Sequence, residues 1–91
     1  MNAAPPSHAF AIPLDSLALG KRAHIESIDW SALEEAAARR LRQFGFDEGV
    51  TIEALHLGPF GRDTLAVRVG RMTVAIRRAH ASAVHVVPIT A

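Results

Sequence analysis

The chain has 91 residues, 49% of them hydrophobic and 5% aromatic, with a formal net charge of +1 and no cysteine. That length holds one small domain, in which most apolar residues of regular segments are needed for the core. The composition excludes a disulfide framework, a cysteine-bound zinc site and a thiol nucleophile, and no apolar run approaches the ~18 residues of a membrane-spanning helix.

Residues 1–12 read as a flexible tail, rich in alanine and proline and without a sustained period. They also lack the basic and apolar regions of a secretory signal. The folded domain is expected over residues 13–91. Ile12, Leu14, Leu17 and Leu19 form an apolar lead-in that Gly20 ends. A strand is predicted over residues 22–28, with Ala23 and Ile25 on one face and His24 and Glu26 on the other.

Ser31-Ala32-Leu33-Glu34 has the spacing of a capping box, in which Ser31 accepts from the Glu34 amide and the Glu34 side chain reaches back. A helix is predicted over about residues 32–44, with Leu33, Ala36, Ala37, Leu41 and Phe44 along its apolar face. Arg40, seven residues after Leu33, falls on that same face. Two readings of it stand: an aliphatic stem over the core with the guanidinium turned out, or an arginine paired with a carboxylate or loop carbonyls. Gly45 stands where a helix end calls for a left-handed residue, and Phe46 is expected to pack beneath that cap. Gly49 allows the next sharp turn.

The second half is β. Val50, Ile52 and Ala54 begin a strand over residues 50–57, and the apolar positions then shift to Leu55 and Leu57, which predicts a bulge. Leu65, Val67 and Val69 alternate, as do Met72, Val74 and Ile76. The link between them, Gly70-Arg71, has the glycine-first signature of a type II′ hairpin turn. One helical turn is predicted over residues 79–83, then a last short strand carrying Val84 and Val86, with Ile89 on or near it. The fold class is mainly β: a small, partly closed barrel of about five strands, with one α-helix between the first two and a short helical turn before the last.

No catalytic constellation is present. The serines lack a glycine-flanked elbow, no pair of carboxylates sits on a pattern that predicts a cleft, and Gly58-Pro59-Phe60-Gly61 is not a phosphate-binding loop. The chain therefore reads as a non-enzyme. Charge divides unevenly: up to Gly61 there are eight acids against five bases, while from Arg62 onward Arg62, Arg68, Arg71, Arg77 and Arg78 face Asp63 alone. A solvated arginine face is the ordinary reading of that segment, and a surface for an acidic partner or for phosphate is the sharper one. It lacks the aromatic platform of a nucleic-acid binder, so no nucleic-acid partner is expected. Phe60, in a loop flanked by proline and glycine, is the phenylalanine best placed to anchor a partner. His24, Glu26 and His85 are ordinary strand residues on the plain reading. If the first and last strands come close, the three could meet as a weak site for ferrous iron or another divalent transition metal, and no other cofactor is expected.

The order and spacing of Arg40-Leu41-Arg42-Gln43-Phe44-Gly45-Phe46, Gly49, Pro59-Phe60-Gly61 and Val69-Gly70-Arg71-Met72-Thr73-Val74-Ala75-Ile76-Arg77 resemble the FeoA family, small accessory proteins of bacterial ferrous iron uptake. The resemblance covers residues 14–87. Glu48 stands where the family usually has proline, and Arg62-Asp63-Thr64 departs from the second half of the family's Pro-Leu-Gly-Asp-Pro loop. The resemblance implies an SH3-like barrel with a packed helix, cytoplasmic or recruited to the inner membrane, docking on the cytoplasmic part of the FeoB transporter. The surface expected to dock is Pro59, Phe60, Gly61, Arg62, Arg68 and Arg71. Ser31, Arg40, Leu41, Phe44, Gly45, Gly49 and Gly70 are expected to be structural. A similar barrel in the C-terminal domain of iron-dependent repressors implies the alternative, a metal-binding regulatory module.

Overall fold

The computed structural model describes residues 10–58 and 61–89. Among these, six strands form one antiparallel sheet: β1 (Ile12–Pro13), β2 (Arg22–Ile28), β3 (Thr51–Leu57), β4 (Thr64–Val69), β5 (Met72–Arg77) and β6 (Val84–Pro88). Their order across the sheet is β1-β6-β2-β3-β4-β5. Two helices, α1 (Glu35–Gln43) and α2 (Arg78–Ala81), and 3-10 turns at Leu14–Ser16, Trp30–Ala32 and Gly61–Asp63 complete the fold.

Period-two alternation sets which face each strand buries. Ala23 and Ile25 of β2, Ile52 and Ala54 of β3, Leu65, Val67 and Val69 of β4, Val74 and Ile76 of β5, and Val84 and Val86 of β6 all point into one core. The pairing of β2 with β6 slips between Ile25 and Ser27, and that of β3 with β4 between Ala54 and His56. The second slip is the bulge that the phase change in the sequence predicts. Such bulges sharpen the local twist, as curling one sheet into a small, partly closed barrel requires. Closure comes from α2, which packs on β5 at one edge of the sheet and on the 3-10 turn that follows β1 at the other. At the β4–β5 turn Gly70 has φ of +60° and Arg71 has no positive φ, in keeping with the type II′ form.

The strand count is six rather than about five, because the lead-in contributes β1, two residues paired with Val86 and His85. Four large apolar residues in or beside the predicted elements lie out: Leu19, Leu57, Met72 and Ile89 are exposed. The helix also starts later than expected. Leu33 and Glu34 are extended, Glu34 caps α1 without a side-chain bond, and the Ser31 hydroxyl donates instead to Asp29 Oδ1 at 2.7 Å. The capping box does not form because Ser31 lies within the 3-10 turn that brings Trp30 and Leu33 against the core. Ser31→Ala is therefore expected to change unfolding free energy by less than about 0.5 kcal/mol, where loss of a working cap costs ~1 kcal/mol; paired urea melts check this.

With Leu33 outside the helix, the seven-residue spacing that put Arg40 on the apolar face no longer applies. The buried positions of α1 are Ala37, Ala38 and Leu41, while Ala36 and Arg40 are exposed. The helix ends as expected. Gly45 has φ of +91°, its amide donates to the Arg42 carbonyl and the Phe46 amide donates to the Leu41 carbonyl, both at 3.0 Å. These two bonds make a Schellman cap. Phe46 is buried beneath it and Phe44 packs against the core edge. Arg42, on the other side of the helix, lies over the Trp30 ring at 4.2 Å from its centroid.

Candidate functional site

The arginine-rich segment folds into the β4–β5 hairpin, and its two ends present different surfaces. At the turn end, Arg71 lies in the turn and Arg68 faces out from β4. Arg68 stands opposite Thr73 on one side and Glu53 on the other, and Glu53 in turn stands opposite Arg22. That row alternates in sign, so its field on an acidic partner is weakened.

At the open end, Arg62 sits in the 3-10 turn before β4, and Thr64 pairs with Arg77. Arg78 reaches back so that its Nη1 donates to the Arg62 carbonyl at 3.4 Å. The two ends are separated by the length of β4, roughly 17 Å at ~3.4 Å per residue. The arginines expected to form one docking surface are thus divided: Arg68 and Arg71 lie at one end, Gly61 and Arg62 at the other. Pro59 and Phe60 lie outside the described residues.

Arg40 joins the open end. A groove of about 730 Å³ runs between α1 and the β5–α2 corner, floored by Leu41 and Ile76 and rimmed by Arg40, Arg77, Arg78 and His80. Asp63 is the acid that lines it. No hydrogen bond or ion pair to another described residue holds the Arg40 or Arg77 guanidinium, so both are available to a ligand carboxylate or phosphate. The groove escapes a linear reading because it joins α1 to a corner far along the chain. The signal was the adjacent pair Arg77-Arg78, which a strand alone would turn to opposite faces and which the start of α2 keeps together.

The histidine expectation meets a mixed outcome. β2 and β6 do pair, which places His24 and His85 on the outer face of neighbouring strands. His24 stands opposite Val87, while His85 stands opposite Ser27 past the bulge. Among the described residues no group of three His, Asp or Glu side chains stands close enough to hold a metal ion. No helix among them is long and apolar enough to cross a membrane.

Residues 12–88 match the family model of the FeoA domain. No curated protein matches the chain. Among solved structures, the chain is similar to the FeoA protein of Chlorobium tepidum, at 30% identity and a TM-score of 0.74, over 87% of this chain and 71% of that one. It is similar also to the zinc complex of FeoA from Stenotrophomonas maltophilia, described as a prokaryotic SH3 domain protein, at 37% identity and a TM-score of 0.68, over 80% and 86% of the two chains. IdeR of T. acidophilum shares the fold at 22% identity and a TM-score of 0.74, with 97% of this chain covering 37% of that one.

Proposed function

The chain belongs to the FeoA domain family, and from that premise we propose that it is a non-enzymatic, cytoplasmic accessory protein of ferrous iron uptake that docks on the cytoplasmic part of the FeoB transporter. The observation that carries this reading is the cluster of solvent-facing arginines at the open end of the hairpin, on a domain whose family is tied to ferrous iron transport. Docking modulates a transporter only where the affinity differs between its states, so the bound barrel shifts their populations by that difference.

The test is an amide NMR titration of labelled protein with the soluble GTP-binding domain of the matching FeoB, then with the whole transporter in nanodiscs. Shifts focused on residues 59–63 and on the hairpin support docking; unchanged spectra with both overturn it. Phe60→Ala is expected to weaken binding by about tenfold, ~1.4 kcal/mol, with an unchanged melting temperature. Its basis is the sequence reading of that loop, and an unchanged affinity removes the loop from the interface.

The metal-responsive alternative rests on less. The likeness to IdeR is one of fold, and zinc is bound by the Stenotrophomonas maltophilia relative rather than shown for this chain.

A further inference from the structure

The two edges of the sheet are built differently. The β1 edge is two residues long and ends in Pro13, which has no amide hydrogen to offer. The β5 edge runs the six residues Met72–Arg77, without proline, and pairs with β4 without a bulge. Sheets ordinarily blunt such an edge with a proline, a bulge, an inward charge or a covering element. The middle of β5, Thr73 to Ile76, carries none of the first three.

The backbone of that edge points outward at known positions. A two-residue turn makes Val69 and Met72 the hydrogen-bonded pair, and bonded pairs then alternate along the hairpin. Val74 and Ile76 therefore direct their amides and carbonyls at β4, and Thr73 and Ala75 direct theirs away from the sheet. Both residues are exposed, and neither backbone bonds to another described residue.

This edge borders the groove described above. Ala75, Ile76 and Arg77 line one side, Ala37, Arg40 and Leu41 of α1 the other. A strand laid along β5 would turn alternate side chains toward the apolar floor and the rest toward solvent and the arginines. Charge then chooses the occupant. Arg40, Arg77, Arg78 and His80 favour carboxylates. They disfavour a second copy, because antiparallel pairing of two β5 edges about Val74, which sets Thr73 of each copy opposite Ala75 of the other, also sets Arg71 opposite Arg77.

We propose that the β5 edge is a strand-addition site, which takes an extended acidic segment of a partner protein as a seventh strand seated between β5 and α1. Main-chain bonds to Thr73 and Ala75 supply affinity, and the alternation of apolar and acidic side chains supplies selectivity. As the point of contact with the transporter the site rests on the docking reading; as a peptide site it does not.

Two arms separate the claims. In the first, a fluorescein-labelled peptide of alternating valine and glutamate is titrated into the full chain, beside its lysine counterpart. The glutamate peptide is expected to bind and the lysine peptide not, and amide exchange at Thr73 and Ala75 to slow by about tenfold or more. Ala75→Pro is expected to weaken binding by at least about tenfold without a change in melting temperature, since proline is tolerated on a free edge. Should that variant unfold, Arg40→Glu with Arg77→Glu serves in its place. No binding at millimolar peptide overturns the inference. So does binding that leaves exchange at Thr73 and Ala75 unchanged, or a sedimenting dimer of the chain that Ala75→Pro abolishes. In the second arm, the wild type and Ala75→Pro are compared on the transporter in nanodiscs. Equal binding overturns the edge as the docking surface and leaves docking itself intact. Absence of wild-type binding ends the docking reading, while the peptide arm alone decides the strand-addition site.

Discussion

Leu41→Ala is expected to lower the unfolding free energy by about 2–5 kcal/mol. Leu41 is 1% exposed and sits where α1 meets the barrel core. Its carbonyl accepts the Phe46 amide in the helix cap, a bond the substitution leaves in place. The loss is therefore that of buried side-chain atoms plus the cavity they vacate, and the rigid barrel strands beneath limit how far that cavity collapses. A domain of this size has a total stability of about 5–15 kcal/mol, so the variant gives up a large share of it. The melting temperature should fall by about 4–8 °C for each kcal/mol lost. Guanidinium and thermal melts check both figures, and a loss under about 1 kcal/mol would place Leu41 outside the core.

Phe46→Ala is expected to cost about 3–5 kcal/mol, more than any of the surface changes considered. Phe46 is 2% exposed although it follows a glycine in an otherwise exposed turn. The Schellman cap explains this: it turns the chain back so that the residue after the glycine meets the residue five positions before it. In this chain those are Phe46 and Leu41, both members of the core cluster. The double variant should therefore lose less than the sum of the two single losses, by about 0.5 kcal/mol or more. Strict additivity in a double-mutant cycle would show that the cap and the core are energetically separate.

Both positions were legible in the sequence, because glycine at a helix end and the apolar residue after it have a local physical cause. The same holds for the hairpin, where alternation on both sides of Gly70-Arg71 leaves one register that buries Val67 and Val74 together. The bulge of β3 was legible as a change of phase. What escaped was decided by packing at a distance. Ser31 and Glu34 have the spacing of a cap, but the core's demand for Trp30 and Leu33 moves the helix start to Glu35. β1 has no period to read, since two residues beside a proline carry no alternation. The groove is illegible for the same reason at larger scale: counting from Leu33 puts Arg40 on the apolar face, and Leu33 lies outside the helix. The arginines' exposure is legible in the alternation of β4, while the length of β4 that separates Arg62 from Arg68 and Arg71 is a matter of the fold.

The strand order carries a consequence for how the chain comes to be folded. β6, which follows every other strand in the sequence, is seated between β1 and β2, which precede the rest. On the ribosome, β2 can pair with β3 as soon as both have emerged, but its other flank stays bare until residues 84–88 leave the exit tunnel. β1 has no partner at all until then. The β2–β5 meander can thus gather early through near-neighbour pairings, while closing the sheet must wait on β6 meeting β2 and β1, segments about sixty and about seventy residues away along the chain. Completion of the sheet thus waits on β6: that strand is a keystone, and each nascent chain carries an open slot of its shape until it arrives.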